Sequence, residues 1–452
     1  MRDVILFLPE LILSVTALGI FGLAIVWRGR RTNQRVLLAL TLAGLALALA
    51  ATMLAWGESA SLFANLVAVD ALALFFKTFA LIAAVFVVLS AWDFLATRTR
   101  AQAEFYSFVL FAALTIMIAA SARNIILIYL AIESLIITSY YALAGFLRDD
   151  ARSTEGALKY FIYGAATSAV MLYGLTLLFG LTGSADLDAM ARALTNANAE
   201  ARALAPPALV LAGLGFKIAL VPFHQWAPDA YEGAPTPVTA FLSVGPKAAG
   251  FAVLARVLIT AFPAFQPQWT VLLAALALVT MTVGNLAALW QTNVKRVLAY
   301  SSIAQAGYIL IGLVAYAPAS REAFAGLNGV LLFLFAYLFA NLGAFAAVVA
   351  VEDVTGSAEV NVFAGLIRRA PALALALFIF LLSLIGIPPT AGFVGKLLVF
   401  GAALERGYAW LALAGVANSV VSVYYYYRVI REMFFAPAPD DRGHPSTCFA
   451  SG

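Results

Sequence analysis

The chain has 452 residues, of which 64% are hydrophobic and only 11% are Asp, Glu, Lys or Arg. A soluble domain carries about 25% charged residues, so this composition excludes an ordinary soluble protein and predicts one that lies in lipid. The net charge of +4, with basic residues scattered between apolar blocks, excludes a nucleic-acid-binding surface.

Thirteen apolar runs follow one another, and a helix needs about 20 residues to cross a bilayer. The first run starts directly after Met1-Arg2-Asp3 and is too long for a signal peptide, so we expect it to remain as a span. The sequence predicts an all-α polytopic membrane protein that ends in a polar tail. The predicted spans are 4–27, 36–57, 71–92, 105–122, 124–146, 157–182, 207–230, 237–262, 269–290, 296–317, 324–350, 372–402 and 408–430.

Basic residues between the spans indicate how the chain is oriented. Most of them follow odd-numbered spans, so the positive-inside rule predicts an N-terminus outside the membrane. The outer segment 185–203 has the alternation of charged and apolar residues that is typical of a helix lying on the surface. No transit peptide precedes the first span, which favours a bacterial plasma membrane over a mitochondrial inner membrane.

Four ionisable residues lie too deep in their spans for snorkelling. They are Glu133 in the fifth span, Lys217 in the seventh, Lys247 in the eighth and Lys396 in the twelfth. A charge at the bilayer centre costs about 2.5–3.5 kcal/mol on insertion scales, so each such residue is a functional candidate. A purely structural ion pair is the alternative. Single buried lysines suit proton transfer better than they suit recognition of an organic solute.

Other charges allow simpler interpretations. Lys159 lies one turn beyond Glu155 and is either a relay group or a snorkelling anchor. His224 is either a proton shuttle or a histidine that is simply hydrogen-bonded within its helix. Asp70 and Lys77 begin the third span, where anchoring is favoured. Arg256 is expected to be an anchor or a partner. Lys295 and Arg296 are expected at a cytoplasmic edge, where the positive-inside rule explains them.

Two spans are predicted to be interrupted. Pro222 follows Lys217 closely, and Pro388 and Pro389 precede Lys396. Proline removes a backbone donor and clashes with the preceding turn, so these helices should break. Because the breaks lie five spans apart, spans four to eight and nine to thirteen form two five-helix units, and the odd number inverts the second. Such paired breaks point to a transport site.

Cysteine and histidine are scarce. The one cysteine is Cys448, and the two histidines are His224 and His444. This excludes a disulfide framework, a cysteine-ligated zinc or iron–sulfur site and a membrane-embedded bis-histidine haem. We therefore expect no metal, cofactor or redox centre in this chain.

Three stretches carry a resemblance to a known family. They are KIALVPFHQWAPDAYEGAPTPVTAFLSVGPKAAG (217–250), GNLAALWQTNVKRVLAYSSIAQAGY (284–308) and LSLIGIPPTAGFVGK (382–396). They closely resemble the antiporter-like membrane subunits of respiratory complex I, the proton-pumping NADH–quinone oxidoreductase. Among these subunits the chain resembles the N type, because it is too short for the L type and has Lys396 where the M type has glutamate. Fourteen spans are expected there, one more than the sequence shows.

The resemblance implies a fold and roles for the deep charges. It implies an N-terminal three-helix segment (1–104), two inverted five-helix repeats (105–262 and 263–430) and a tail (431–452). Glu133 would hold Lys217 charged, Lys247 would be the central relay, and Lys396 would pass the proton outward. At about 7 Å and an effective dielectric near 20, a carboxylate and an ammonium attract by about 2.4 kcal/mol.

The resemblance also implies partners. NADH, flavin, iron–sulfur clusters and quinone would be bound by partner subunits, and neighbouring antiporter-like subunits would contact this chain in the membrane arm. The alternatives are a subunit of a multi-component sodium/proton antiporter or of a membrane-bound hydrogenase, a stand-alone solute transporter, and a membrane scaffold without transport activity.

Overall fold

A computed structural model describes residues 2–26, 34–99, 101–144, 150–196, 205–317 and 326–438. Most of the predicted tail, with His444 and Cys448, lies outside the described residues. So do several of the basic residues from which the orientation is predicted, namely Arg28, Arg30, Arg31, Arg100, Arg148, Arg202 and Arg321.

The described chain is almost entirely helical, and every predicted span coincides with one helix or with two consecutive ones. Within the described ranges, nine helices are long and apolar enough to cross a membrane, and three further apolar helices are shorter. The predicted all-α polytopic class is therefore confirmed. The helices are α1 (Arg2–Leu6), α2 (Leu8–Val26), α3 (Gln34–Leu54), α4 (Ala71–Ser90), α5 (Trp92–Arg98), α6 (Gln102–Ser121), α7 (Ile125–Ala144), α8 (Ala151–Thr182), α9 (Leu187–Asn196), α10 (Ala205–Ile218), α11 (Trp226–Gly233), α12 (Thr236–Thr260), α13 (Gln266–Ala288), α14 (Val294–Val314), α15 (Gly326–Thr355), α16 (Leu366–Arg369), α17 (Pro371–Ile385), α18 (Ala391–Glu405) and α19 (Ala409–Phe435), with short 3-10 helices at Pro263–Phe265 and Val360–Phe363.

A small β-hairpin between α3 and α4 is not predicted by the sequence. Strands β1 (Ala60–Leu62) and β2 (Val67–Val69) pair antiparallel. The Asn65 side chain in the hairpin turn donates to Asp186 and Asp188, which flank the start of α9. Strands of three residues show too little alternation to be recognised.

Both predicted interruptions are confirmed. Helix α10 ends at Ile218 and α11 begins at Trp226, while α17 ends at Ile385 and α18 begins at Ala391. The peptide bonds Val221–Pro222 and Pro388–Pro389 in these breaks are cis. The prolines end each first half because they cannot donate the next intrahelical hydrogen bond.

The helices cluster into two compact units. Unit one consists of Met1–Ala219 and Gly233–Trp269, and unit two of Leu220–Glu232 and Thr270–Gly452. In unit one α4 packs against α6 and α12, and α8 packs against α7 and α10. In unit two α14 packs against α15 and α18, and α15 packs against α17. The assignment of 105–262 and 263–430 as inverted repeats stays a prediction.

Candidate functional site

Lys217 lies in the last turn of α10, directly before the first break, and its side chain is 1% exposed. Its Nζ donates to the Tyr160 hydroxyl of α8 at 3.2 Å. The same ammonium stands 5.5 Å from the ring centroid of Tyr160 and 5.7 Å from that of Phe216. The aromatic faces favour a cation there. Sequence reasoning missed Tyr160, because a tyrosine in an apolar helix carries no distinguishing signal.

Glu133 of α7 is the predicted partner of Lys217, and the two are not in direct contact among the described residues. Instead, the Lys217 ammonium donates to the Tyr160 hydroxyl. The Oε1 atom of Glu133 is buried without a hydrogen-bond partner. This carboxylate oxygen is therefore available to a proton or to a donor that moves toward it. The predicted Glu133–Lys217 pairing stays a prediction.

Lys247 lies near the middle of α12, a helix that is buried along its whole length up to Leu258. Its side chain is 2% exposed. One turn further on, Gly250 lets α10 approach, because a Cβ added there would lie 2.6 Å from the Ile218 side chain and 3.2 Å from the Lys217 Cβ. Gly250 thus brings together the two helices that carry Lys217 and Lys247.

Lys396 of α18 lies in unit two and is 4% exposed. Its Nζ donates to the carbonyl oxygens of Ile385 at 2.7 Å and Leu384 at 3.3 Å, and to Ser419 Oγ at 3.2 Å. The ammonium also stands 4.6 Å from the ring centroid of Tyr308. In the described part of unit two, no carboxylate forms a salt bridge with Lys396. The described groups that contact its ammonium are all neutral.

The ring of Tyr308 is held in place by a buried polar cluster. Asn285 Nδ2 donates to the Tyr308 hydroxyl at 2.7 Å, and the Tyr425 hydroxyl donates to Asn285 Oδ1 at 3.0 Å. Tyr426, next in α19, hydrogen-bonds Ser301 of α14. These contacts join α13, α14 and α19 beside the second break.

The two secondary candidates lie in different surroundings. Lys159 is half-exposed on α8 and forms an ion pair with Glu155 at 2.7 Å, one turn away on the same helix. His224 lies within the first break, and its Nδ1 is buried without a hydrogen-bond partner. Their predicted roles as relay and shuttle stay predictions.

One expectation for the third span is wrong. Lys77 was expected to anchor the helix near the membrane surface, but its side chain is completely buried, seven residues into α4. Its Nζ lies 2.6 Å from Oε1 of Glu10, which is equally buried in α2. Sequence reasoning missed Glu10, although a carboxylate inside the first apolar run was the available signal.

Asp70 and Arg256 are partners, which confirms one of the two roles considered for Arg256. Arg256 of α12 donates from Nη1 and Nη2 to the two Asp70 carboxylate oxygens at 2.8 and 2.9 Å, and from Nε to the Ala120 carbonyl at 2.9 Å. Burial raises the pKa of Asp70, but hydrogen bonds and the charge of Arg256 outweigh it and lower that pKa below its usual value. The carboxylate also caps α4.

The predicted cytoplasmic-edge position of Lys295 and Arg296 stays a prediction, but Lys295 is not exposed at the start of α14. Its side chain is buried, and Nζ lies 3.9 Å from Oε1 of Glu352. Arg296 donates from Nη1 to Asp229 at 2.9 Å and to Glu232 at 2.8 Å. These hydrogen bonds join α14 to α11 inside unit two.

Comparisons with known proteins agree with one another. Residues 122–422 match the family model described as NADH:quinone oxidoreductase/Mrp antiporter, TM. NADH-quinone oxidoreductase subunit N of Desulforamulus reducens is 44% identical over 94% of this chain and 88% of its own length. A chain of respiratory complex I from Thermus thermophilus is 36% identical, with a TM-score of 0.78 over 95% of this chain and 90% of its own. A chain of an archaeal membrane-bound sulfane sulfur reductase is 25% identical, with a TM-score of 0.84 over 95% and 88%.

Proposed function

Because this chain belongs to the NADH:quinone oxidoreductase/Mrp antiporter transmembrane family, we propose that it is a subunit N that moves protons through the membrane arm of an NADH–quinone oxidoreductase. The alternative, a subunit of a sodium/proton antiporter or of a membrane-bound hydrogenase, rests on the shared family. The N-type relatives at 44% and 43% identity favour the first assignment.

The observation that carries the proposal is the presence of three almost fully buried lysines in apolar helices. Lys217, Lys247 and Lys396 are 1%, 2% and 4% exposed. A charge at membrane depth costs about 2.5–3.5 kcal/mol on insertion scales, and such residues mark proton or ion pathways. Two of these lysines adjoin interrupted helices, and irregular backbone at membrane depth is tolerated where it is buried in protein or lines a cavity.

In unit one, we assign the first steps to Glu133, Lys217 and Lys247. Glu133 stabilises the charged form of Lys217, and Tyr160 holds the Lys217 ammonium when the carboxylate does not. A change in the Glu133–Lys217 distance then changes how readily Lys217 gives up its proton. The close helix packing at Gly250 favours transfer from Lys217 to Lys247.

In unit two, we assign the outward step to Lys396. His224 and Lys159 are proposed as access groups on the cytoplasmic side. The N-terminus is proposed to lie outside a bacterial plasma membrane, as the distribution of basic residues indicates.

The driving energy comes, in this proposal, from partner subunits. With one cysteine and two histidines in the sequence, we assign NADH oxidation, flavin, iron–sulfur clusters and quinone reduction to other chains of the complex. Neighbouring antiporter-like subunits are the proposed membrane-arm partners.

Copurification tests the assignment. An affinity-tagged chain, isolated from its own membranes in mild detergent, is expected to bring with it NADH–quinone reductase activity. Copurification of a complex that exchanges sodium for protons after reconstitution, without NADH oxidation, would establish the alternative. Copurification of hydrogenase activity would contradict the proposal in the same way.

A further inference from the structure

At the second break, two backbone carbonyl groups have no intrahelical N–H donor. In a continuous helix, the carbonyls of Leu384 and Ile385 would accept from the amides four residues later, at positions 388 and 389. Those positions are Pro388 and Pro389, which have no N–H to donate. The two carbonyls freed in this way are the two that Lys396 binds. The Leu384 carbonyl also accepts from Gln305 Nε2 of α14 at 2.7 Å.

These acceptors form a site with defined chemistry. The C-terminal end of α17 carries a partial negative charge. Ser419 of α19 adds a third oxygen, and Tyr308 of α14 adds an aromatic face 4.6 Å away. An ammonium group has three N–H donors, and three oxygen atoms accept them here. The distances to Ile385 and Ser419, 2.7 and 3.2 Å, lie in the usual range of N–H···O hydrogen bonds, and the distance to Leu384 is slightly longer at 3.3 Å.

None of these four groups depends on the lysine. Two belong to α17, one to α19 and one to α14, and the Tyr308 hydroxyl is fixed independently by Asn285. Removal of the lysine head group would therefore leave the acceptors in place. We propose that the α17–α18 break is a binding site for a small ammonium-type monovalent cation, and that the Lys396 head group is its tethered occupant. This inference deepens the proposed function. It rests on that function only for the pumping measurement described below.

Chemical rescue of the complete complex tests the site. In Lys396→Ala, ammonium or methylammonium is expected to restore pumping and to raise the thermal unfolding midpoint of the purified complex, in both cases saturably. Methylammonium reproduces the lysine Cε and Nζ. Pumping is followed as membrane potential, because ammonium collapses a pH difference. Tetramethylammonium, which has no N–H donor, is expected to have no effect.

Two further variants make the test specific. Lys396→Ala combined with Ser419→Ala loses one neutral acceptor and is expected to bind ammonium about fivefold more weakly. Lys217→Ala is the matched control, because Lys217 has a single hydroxyl partner among the described residues, Tyr160. Ammonium is expected to leave this variant unrescued.

The outcomes separate this inference from the proposed function. If Lys396→Ala abolishes pumping and ammonium neither restores it nor stabilises the complex, the cation site is wrong while the proton path stands. Stabilisation by sodium but not by ammonium would also overturn the ammonium assignment. If Lys396→Ala pumps normally, the proton path is wrong at this residue, and the thermal midpoint still decides whether the site binds ammonium.

Discussion

Lys77 and Glu10 form an ion pair of 2.6 Å in which both side chains are completely buried. The pair joins α4 to α2 in unit one, outside the segments assigned to proton transfer. Neither the Glu10 oxygens nor the Lys77 nitrogen has a further hydrogen-bond partner. An isolated buried pair of this kind gains little over apolar side chains, but removal of one partner leaves an uncompensated charge.

We therefore expect a large difference between single and double substitutions of this pair. Lys77→Met or Glu10→Leu alone should destabilise unit one by about 3–5 kcal/mol, whereas the double variant should be near neutral. The yield of folded protein and its thermal unfolding midpoint in detergent measure this. Single variants as stable as the double variant would show that the pair is not charged.

The Asp70–Arg256 pair should contribute stability that depends on pH. The pKa of Asp70 is lowered from its ordinary value of 3.8, so the contribution is present above that pH and is lost as the pH falls through the lower folded-state value. Asp70→Asn should thus be less stable than the parent near neutral pH, and the difference should shrink below about pH 4. The measurement is the thermal midpoint of both proteins against pH. A difference that stays constant into acid would contradict the ion pair.

Gly250→Ala should disturb Lys217 and Lys247 together. The new Cβ would overlap Ile218 and press on the Lys217 Cβ, so α10 and α12 must separate. Overpacking of this kind costs about 1–3 kcal/mol, and we expect proton pumping to fall more than assembly. Gly180→Ala in α8 is the matched control, since nothing lies within 4 Å of its added Cβ. Equal pumping by the two variants would show that the close approach is unimportant.

Gly386→Ala should displace Lys396 from its carbonyl partners. Gly386 has a φ of +87°, and an added Cβ would lie 2.8 Å from the Lys396 Cδ. Gly407→Ala shares the positive φ, +79°, but meets nothing within 4 Å, so it controls for backbone strain. We expect both to lose stability and Gly386→Ala alone to lose pumping. Loss of pumping in both would attribute the effect to the backbone.

The sequence was sufficient for the spans and for three of the buried lysines. Lys217, Lys247 and Lys396 interrupt long apolar runs, and prolines mark both breaks, so hydropathy and backbone chemistry predict them directly. Lys77 was misinterpreted because a lysine near the start of a span is normally within snorkelling reach.

The partners of these charges could not be predicted in the same way. Tyr160, Tyr308 and Ser419 are neutral residues on other helices, and their contact with a lysine depends on how the helices pack. Asp70 and Arg256 lie far apart in the sequence, so no local pattern links them. A single sequence gives the residues along each helix, but it does not show which helix faces pack against one another.

The most direct test of the proposed proton path is Lys247→Ala in a complex confirmed to be assembled, with proton pumping and NADH–quinone electron transfer measured in the same membranes. Lys247 is 2% exposed, in a helix that is buried from Thr236 to Leu258. We expect pumping to be lost, whether or not electron transfer falls with it. Full pumping together with full electron transfer would contradict the relay and leave Lys247 as a buried structural charge.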